Sequence, residues 1–310
     1  MSAAPVDLSV RLGALTLANP ILLASGTCGY GVELAGLLDF AAIGGIVTKT
    51  VTLRPREGNP PPRIAETPSG MLNSIGLENV GIDTFLREKL PAAAALPTKI
   101  VVSVGGHAVP DYVELARRLD PEPGVAAIEL NLSCPNVSGG LDLSLSRAGS
   151  AEVVGAVRRV TTKPLIAKLT PNVTAIGDIA RGAEEGGADA VSLVNTFIGM
   201  AIDVERRTPK LRTVTGGLSG PAIRPLAVAK VYAAARAVRI PVIGIGGVSS
   251  AADVIEFLLA GATAVEVGTW NYVEPGAAGT LAAGVAAYLA RHDFRSPADL
   301  RGALVLPAKE

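Results

Sequence analysis

The feature that most constrains this chain is the regular return of short, almost continuously apolar runs, each followed by a longer stretch with helical periodicity. In order they are Pro20–Ser25, Gly45–Thr50, Ile100–Val104, Ala127–Leu132, Pro164–Leu169, Ala190–Asn195, Pro241–Ile245 and Ala264–Gly268, eight in all. A run without polar alternation suits a strand buried on both faces, as in a parallel sheet covered by helices. Eight such units suit a closed (β/α)8 TIM barrel. The 310 residues exceed the roughly 250 of a plain barrel, which leaves room for inserted loops at the C-terminal rim. Ahead of the first run, Leu8–Leu12 and Leu15–Leu17 read as a short N-terminal hairpin that could plug the barrel floor. No linker is found, so residues 1–310 are expected to form one domain.

The segments between the runs carry helix signals. Asp111–Leu119 opens on Asp111 as an N-cap candidate and places Tyr112, Leu115, Ala116 and Leu119 on one face. Ile176–Glu185 runs into Gly186-Gly187 and Ala251–Ala260 into Gly261, the residue type expected just past a helix C-terminus. Ser296-Pro297-Ala298-Asp299 combines an N-cap, a proline at the first helical position and an acidic first turn.

Charge narrows the function. With 28 basic and 28 acidic residues, nothing points to a dedicated nucleic-acid or membrane-surface binder. No apolar stretch reaches the ~20 residues of a membrane helix, and the first residues lack the pattern of a signal peptide. A cytoplasmic protein is expected. The chain has two cysteines, Cys28 and Cys134, and two histidines, His107 and His292. No Cys-x-x-Cys or His-x-x-x-His spacing is present, which argues against a structural zinc or a self-contained iron–sulfur cluster. A cytosolic redox poise also argues against a Cys28–Cys134 disulfide.

Active sites of such barrels lie at the C-terminal ends of the strands. There the runs end in Ser25, Lys49-Thr50, Ser103, Asn131, Lys168, Asn195-Thr196, Gly246-Gly247 and Gly268-Thr269, all small, polar or cationic. Lys49 and Lys168 sit inside apolar runs, where an unpaired lysine would cost several kcal/mol to bury. Gly246-Gly247 and Gly268-Thr269 follow runs seven and eight, the usual place of a barrel phosphate site, where backbone N–H groups and the next helix N-terminus favour an anion. Gly216-Gly217-Leu218-Ser219-Gly220 could add a further backbone contact. Cys134 follows run four in a polar, proline- and glycine-containing segment, a poor place for an inert core residue. A thiol with an ordinary pKa of about 8.5 needs modest tuning to serve as a base. Cys28 has no comparable neighbours and reads as structural.

Five segments together resemble the class 1 dihydroorotate dehydrogenases: Val47–Thr50, Asn73–Leu77, Asn131–Asn136, Ala167–Pro171 and Val194–Thr196. The resemblance covers nearly the whole chain. It implies an enzyme that binds flavin mononucleotide (FMN) and oxidises dihydroorotate to orotate in de novo pyrimidine biosynthesis. It places Cys134 as the base for the C5 proton, with Lys49 and Lys168 also catalytic. The substrate would lie among Lys49, Asn73, Ile75, Gly76, Leu77, Asn131, Asn136, Asn195 and Thr196. The flavin would contact Ser25, Lys49, Thr50, Ser103, Asn131, Lys168, Val194, Gly220, Gly246, Gly247, Gly268 and Thr269. Ser103 departs from the asparagine of many relatives. Residues Pro135–Ser144 are expected to act as a lid.

Within class 1, Gly199–Asp203 and Gly216–Ile223 look most like the 1B subclass, which is NAD-linked. That resemblance implies a homodimer within a heterotetramer, its second subunit carrying FAD and a 2Fe-2S cluster. A 1A-like homodimer that reduces fumarate is the alternative. Other FMN barrels acting on pyrimidines, such as tRNA-dihydrouridine synthases, would want a basic RNA-facing surface. A sugar-phosphate aldolase or isomerase would leave Cys134 between Asn131 and Asn136 without a purpose.

Overall fold

The computed structural model describes residues 6–132 and 145–307. Eight parallel strands close into one barrel: β1 (Ile21–Leu23), β2 (Gly45–Val47), β3 (Lys99–Val104), β4 (Ala127–Asn131), β5 (Leu165–Lys168), β6 (Ala190–Leu193), β7 (Val242–Ile245) and β8 (Ala264–Val267). Each pairs with the next in sequence, and β8 returns to β1. The expected (β/α)8 barrel is therefore the observed one. The strands begin just after Pro20, Pro164 and Pro241 because proline has no N–H for the ladder. The carbonyls of those prolines still accept bonds from Val265, Ile128 and Val191. At the opposite ends, bonds such as Thr48 N to Val101 O (2.9 Å) and Leu132 N to Lys168 O (3.1 Å) carry the pairing on to the rim.

Side chains alternate along each strand, so the barrel separates two cores. Ile21, Leu23, Ile46, Ile100, Val102, Ile128, Leu130 and their equivalents face the surrounding helices. The alternate residues Leu22, Val47, Val101, Ala127, Ile166, Ala190, Ile243 and Ala264 form a separate apolar layer inside the barrel. That layer is sealed by the N-terminal hairpin, Val10–Leu12 paired with Leu15–Leu17, whose Val10, Leu12, Leu15 and Leu17 all join it. Two residues further along the strands the interior changes character to Ser103, Glu129, Lys168, Ser192 and Glu266, all buried.

The sequence reading assigned only loops to the rim, and here it needs correction. Ile64–Thr67, Gly70–Asn73, Phe197–Met200 and Thr215–Ser219 form a four-stranded antiparallel sheet. These strands are short, half-buried and rich in glycine, so they lack the apolar runs that marked the barrel. The helix expected at Asp111 begins earlier, spanning Val109–Leu119. Asp111 lies within its first turn, and its carboxylate accepts from the N–H groups of His107 (2.7 Å) and Ala108 (3.2 Å). Ser296 precedes a single 3-10 turn, Pro297–Leu300, not a longer helix. Gly187 (φ 93°) and Gly261 (φ 111°) do stand in the left-handed conformation past their helices. Among the described residues, no helix is long and apolar enough to cross a membrane.

Leu17 is fully buried in the hairpin seal, so Leu17→Ala should lower unfolding stability by about 2–5 kcal/mol. Urea denaturation measures this; an unchanged midpoint would show that the hairpin does not close the floor.

Candidate active site

A cavity of about 660 Å³ opens at the C-terminal rim of the barrel, within the roughly 300–1,000 Å³ common for small-molecule sites. It is lined by Ser25, Lys49, Thr50, Asn73, Ile75, Gly76, Leu77, Asn131, Lys168, Val194, Asn195, Thr196, Gly220, Gly246, Gly247, Gly268 and Thr269. All were singled out from sequence, and they come from seven barrel strands and the rim sheet together. Ser103 is not among them. It is fully buried behind Thr50, with the two hydroxyl oxygens 3.0 Å apart. Cys134, Asn136 and the expected lid 135–144 lie outside the described residues.

A chain of hydrogen bonds orders the polar side of this cavity. Ser25 Oγ lies 3.3 Å from Thr50 Oγ1, to which Asn131 Nδ2 donates at 3.4 Å. Asn195 Nδ2 donates to Asn131 Oδ1 (3.2 Å), and Thr196 N donates to Asn195 Oδ1 (2.8 Å). Barrel register brings Asn131 of β4 directly beside Lys168 of β5. Asn73 is held from the rim, where its Nδ2 donates to Gly217 O (3.3 Å).

The glycine side is built differently. Gly246 and Gly247 have φ of 132° and 73°, conformations that disfavour any residue with a Cβ. A Cβ at Gly246 would stand 2.7 Å from Ala227 Cβ, and one at Gly247 2.9 Å from Gly220 O. The backbone can therefore approach a ligand closely at this point. The helix that follows, Ala251–Leu259, opens on a capping box of Ser250 and Asp253. Just ahead of it, the N–H groups of Ser249 and Ser250 donate to Asp253 Oδ2 at 2.9 Å each. Asp253 in turn pairs with Arg224. Asp253 is thus the capping carboxylate of this helix start.

One lysine and two carboxyl groups meet at the base of the cavity. Lys168 Nζ is 3.8 Å from Glu129 Oε1 and 3.7 Å from Glu266 Oε2, with both carboxylates fully buried. Burial works against the Lys168 ammonium, but Glu129 and Glu266 outweigh it and hold its pKa above the ordinary lysine value. For half-buried Lys49 burial prevails; together with Arg63 it lowers the pKa, against the opposing charge of Glu78. Cys28 is buried away from the cavity, and its Sγ donates to Val47 O at 3.2 Å. Burial first, then Glu266 and Glu33, push its thiol up to about 12.

Sequence reasoning passed over several lining residues, including Arg56, Asn59, Trp270 and Tyr272. Arg56 and Asn59 lie in a proline-rich loop without periodicity, where Arg56 bonds to the His107 ring. Glu129 and Glu266 were passed over too, although each is a charge inside an apolar run, the same signal that marked Lys168.

The family model for dihydroorotate dehydrogenase matches residues 7–289. The chain is 52% identical over 299 residues to "Dihydroorotate dehydrogenase B (NAD(+)), catalytic subunit" of Geotalea daltonii, covering 96% of this chain and 98% of that protein. It is 51% identical over 299 residues to the protein of the same description in Bacteroides thetaiotaomicron, covering 96% and 99%.

The burial of Cys28 predicts its chemistry. Iodoacetamide near neutral pH should leave Cys28 unmodified in the native chain and label it after unfolding, as read by peptide mass mapping. Rapid native labelling of Cys28 would contradict the buried thiol.

Proposed function

The chain belongs to the dihydroorotate dehydrogenase family, and on that premise we propose that its rim cavity binds FMN and oxidises dihydroorotate to orotate. It would do so as the catalytic subunit of an NAD-linked enzyme in pyrimidine biosynthesis. The observation that carries this reading is the meeting of two unlike surfaces in one cavity. The amides of Asn73, Asn131 and Asn195 line it together with the glycine backbone at Gly246, Gly247 and Gly268.

FMN fits the residues present. The close-approach backbone of Gly246 and Gly247 would hold its phosphate, with Gly220, Gly268 and Thr269 beside it. Ser25, Thr50, Val194 and Lys168 would hold the rest, and Ser103 would act indirectly by holding the Thr50 hydroxyl. When bound, FMN supplies the two-electron acceptor. The asparagine amides both donate and accept, so they match a ring of alternating N–H and C=O groups. Lys49, half-buried at the cavity wall, would pair with the substrate carboxylate. Ile75, Gly76 and Leu77 would close around the substrate with Thr196 and Asn136. Cys134 Sγ would take the proton from C5 of dihydroorotate. Its place directly after β4, three residues beyond Asn131, supports that role.

The description of the relatives as catalytic subunits supports a second, electron-transfer subunit. The two thiols of this chain, Cys28 and Cys134, fall short of the four a Cys-ligated 2Fe-2S cluster takes. Electrons bound for NAD would leave through a second subunit carrying FAD and that cluster. Exposed Ile198, Met200, Ile202 and Val204 at the rim offer apolar surface for a homodimer within the larger complex. The similarity to NAD-linked catalytic subunits favours NAD over fumarate as acceptor, in a cytoplasmic enzyme.

Anaerobic dihydroorotate should bleach the flavin absorbance of the FMN-loaded chain. Cys134→Ala should retain FMN and lose turnover by about 10²–10⁴-fold. Full activity in that variant would refute the assigned base, and an FMN-loaded chain that dihydroorotate cannot bleach would refute the substrate.

A further inference from the structure

The layer beneath the cavity holds more carboxylates than its cation can neutralise. Glu129 from β4 and Glu266 from β8 both approach Lys168 Nζ, at 3.8 and 3.7 Å, and both are fully buried. Their hydrogen bonding is unequal. Glu129 Oε2 accepts from the Ser192 hydroxyl at 2.9 Å. Glu129 Oε1 and both oxygens of Glu266 accept nothing from any described residue. An ionised Glu266 would thus be a buried anion without a hydrogen-bond donor, beside a second anion, which is strongly unfavourable.

We propose that Glu129 and Glu266 share one proton, so that with Lys168 they form an electrically neutral set that positions the lysine under the flavin. Both carboxylates close on the same ammonium from within 4 Å, with no other described cation paired to either. A proton on Glu266 converts two facing acceptors into a donor and an acceptor. The bond from Ser192 selects Glu129 as the ionised member. Other groups near this layer do not alter the balance. Cys28, after β1, is a neutral thiol, Ser103 of β3 and Ser192 of β6 are hydroxyls, and Lys49, after β2, lines the cavity. Burial and the Glu129 charge both hold the Glu266 carboxyl well above the ordinary carboxylate range, against the pull of Lys168. The consequence is electrostatic: a second negative charge is kept out of the barrel, which eases the arrival of electrons above it. Glu129 and Glu266 are positioning residues, acting through Lys168, and their effect on the flavin rests on the reading of the cavity as an FMN site.

The test is the FMN midpoint potential in wild type, Glu266→Gln, Glu129→Gln and the double Gln variant. It is combined with NMR of carbon-13-labelled glutamate carboxyls in the loaded and flavin-free chains. Either single substitution should leave the potential near that of wild type, because the remaining carboxylate carries the one negative charge. The double variant should favour reduced flavin by about tenfold or more at a fixed poise. One glutamate carboxyl of wild type should stay protonated through neutral pH, and that resonance should vanish in either single variant. A merely structural pair would lower stability without this pattern. Single variants that each raise the potential in similar steps would mean two ionised carboxylates and overturn the proposal. So would a wild-type chain with no protonated glutamate near neutral pH. The flavin-free spectra decide the shared proton even for a chain that binds no FMN, and the single variants suffice should the double variant not fold.

Discussion

Closing eight parallel strands on themselves turns every second residue of each strand into a space that solvent does not reach. Each layer of that space must be filled or neutralised. The lowest layer is apolar and is completed by the hairpin side chains Leu12, Leu15 and Leu17. The next holds Lys168, whose ammonium would be too costly to bury unpaired. Its neighbours Glu129 and Glu266 come from strands that are not adjacent in the barrel. Only closure brings them to one point. A charge is thus fixed below the rim by packing that also gives the barrel its floor.

The rim builds on that base with two kinds of backbone. Barrel strands end in hydroxyls and amides linked in series from Ser25 through Thr50 and Asn131 to Asn195. Such a series restrains each side chain by its neighbour, so the polar wall is preorganised and loses little freedom on binding. The antiparallel rim sheet adds what the barrel cannot reach, carrying Asn73 and Gly217 over the opening. Glycines at Gly246 and Gly247 do the reverse of a side chain, since they let the main chain itself come close to a ligand.

How well each part could be read from sequence follows from the kind of signal it leaves. The barrel strands were legible because burial on both faces demands an unbroken apolar run. Lys49 and Lys168 were legible because a charge inside such a run needs a reason. Glu129 and Glu266 left the same mark and were missed, since their meaning depends on having Lys168 between them. The rim strands were missed because half-exposed, glycine-rich segments pair only in the presence of partners far away in sequence. Ser103 was placed at the cavity because it ends its strand among polar residues, yet Thr50 stands in front of it. Position along a strand does not tell which of two neighbouring hydroxyls faces the opening.

By itself, then, the sequence determined the strand count, the closed α/β architecture, the floor hairpin and most of the cavity wall. These depend on local pattern and on the rule that strand ends of one sense share one rim. Tertiary structure decided what depends on distance between segments remote in the chain. It joined four rim segments into a sheet, withdrew Ser103 from the cavity, and set two carboxylates against one lysine. Contacts of that kind are properties of the closed barrel, because no local pattern records which side chains will share a buried charge.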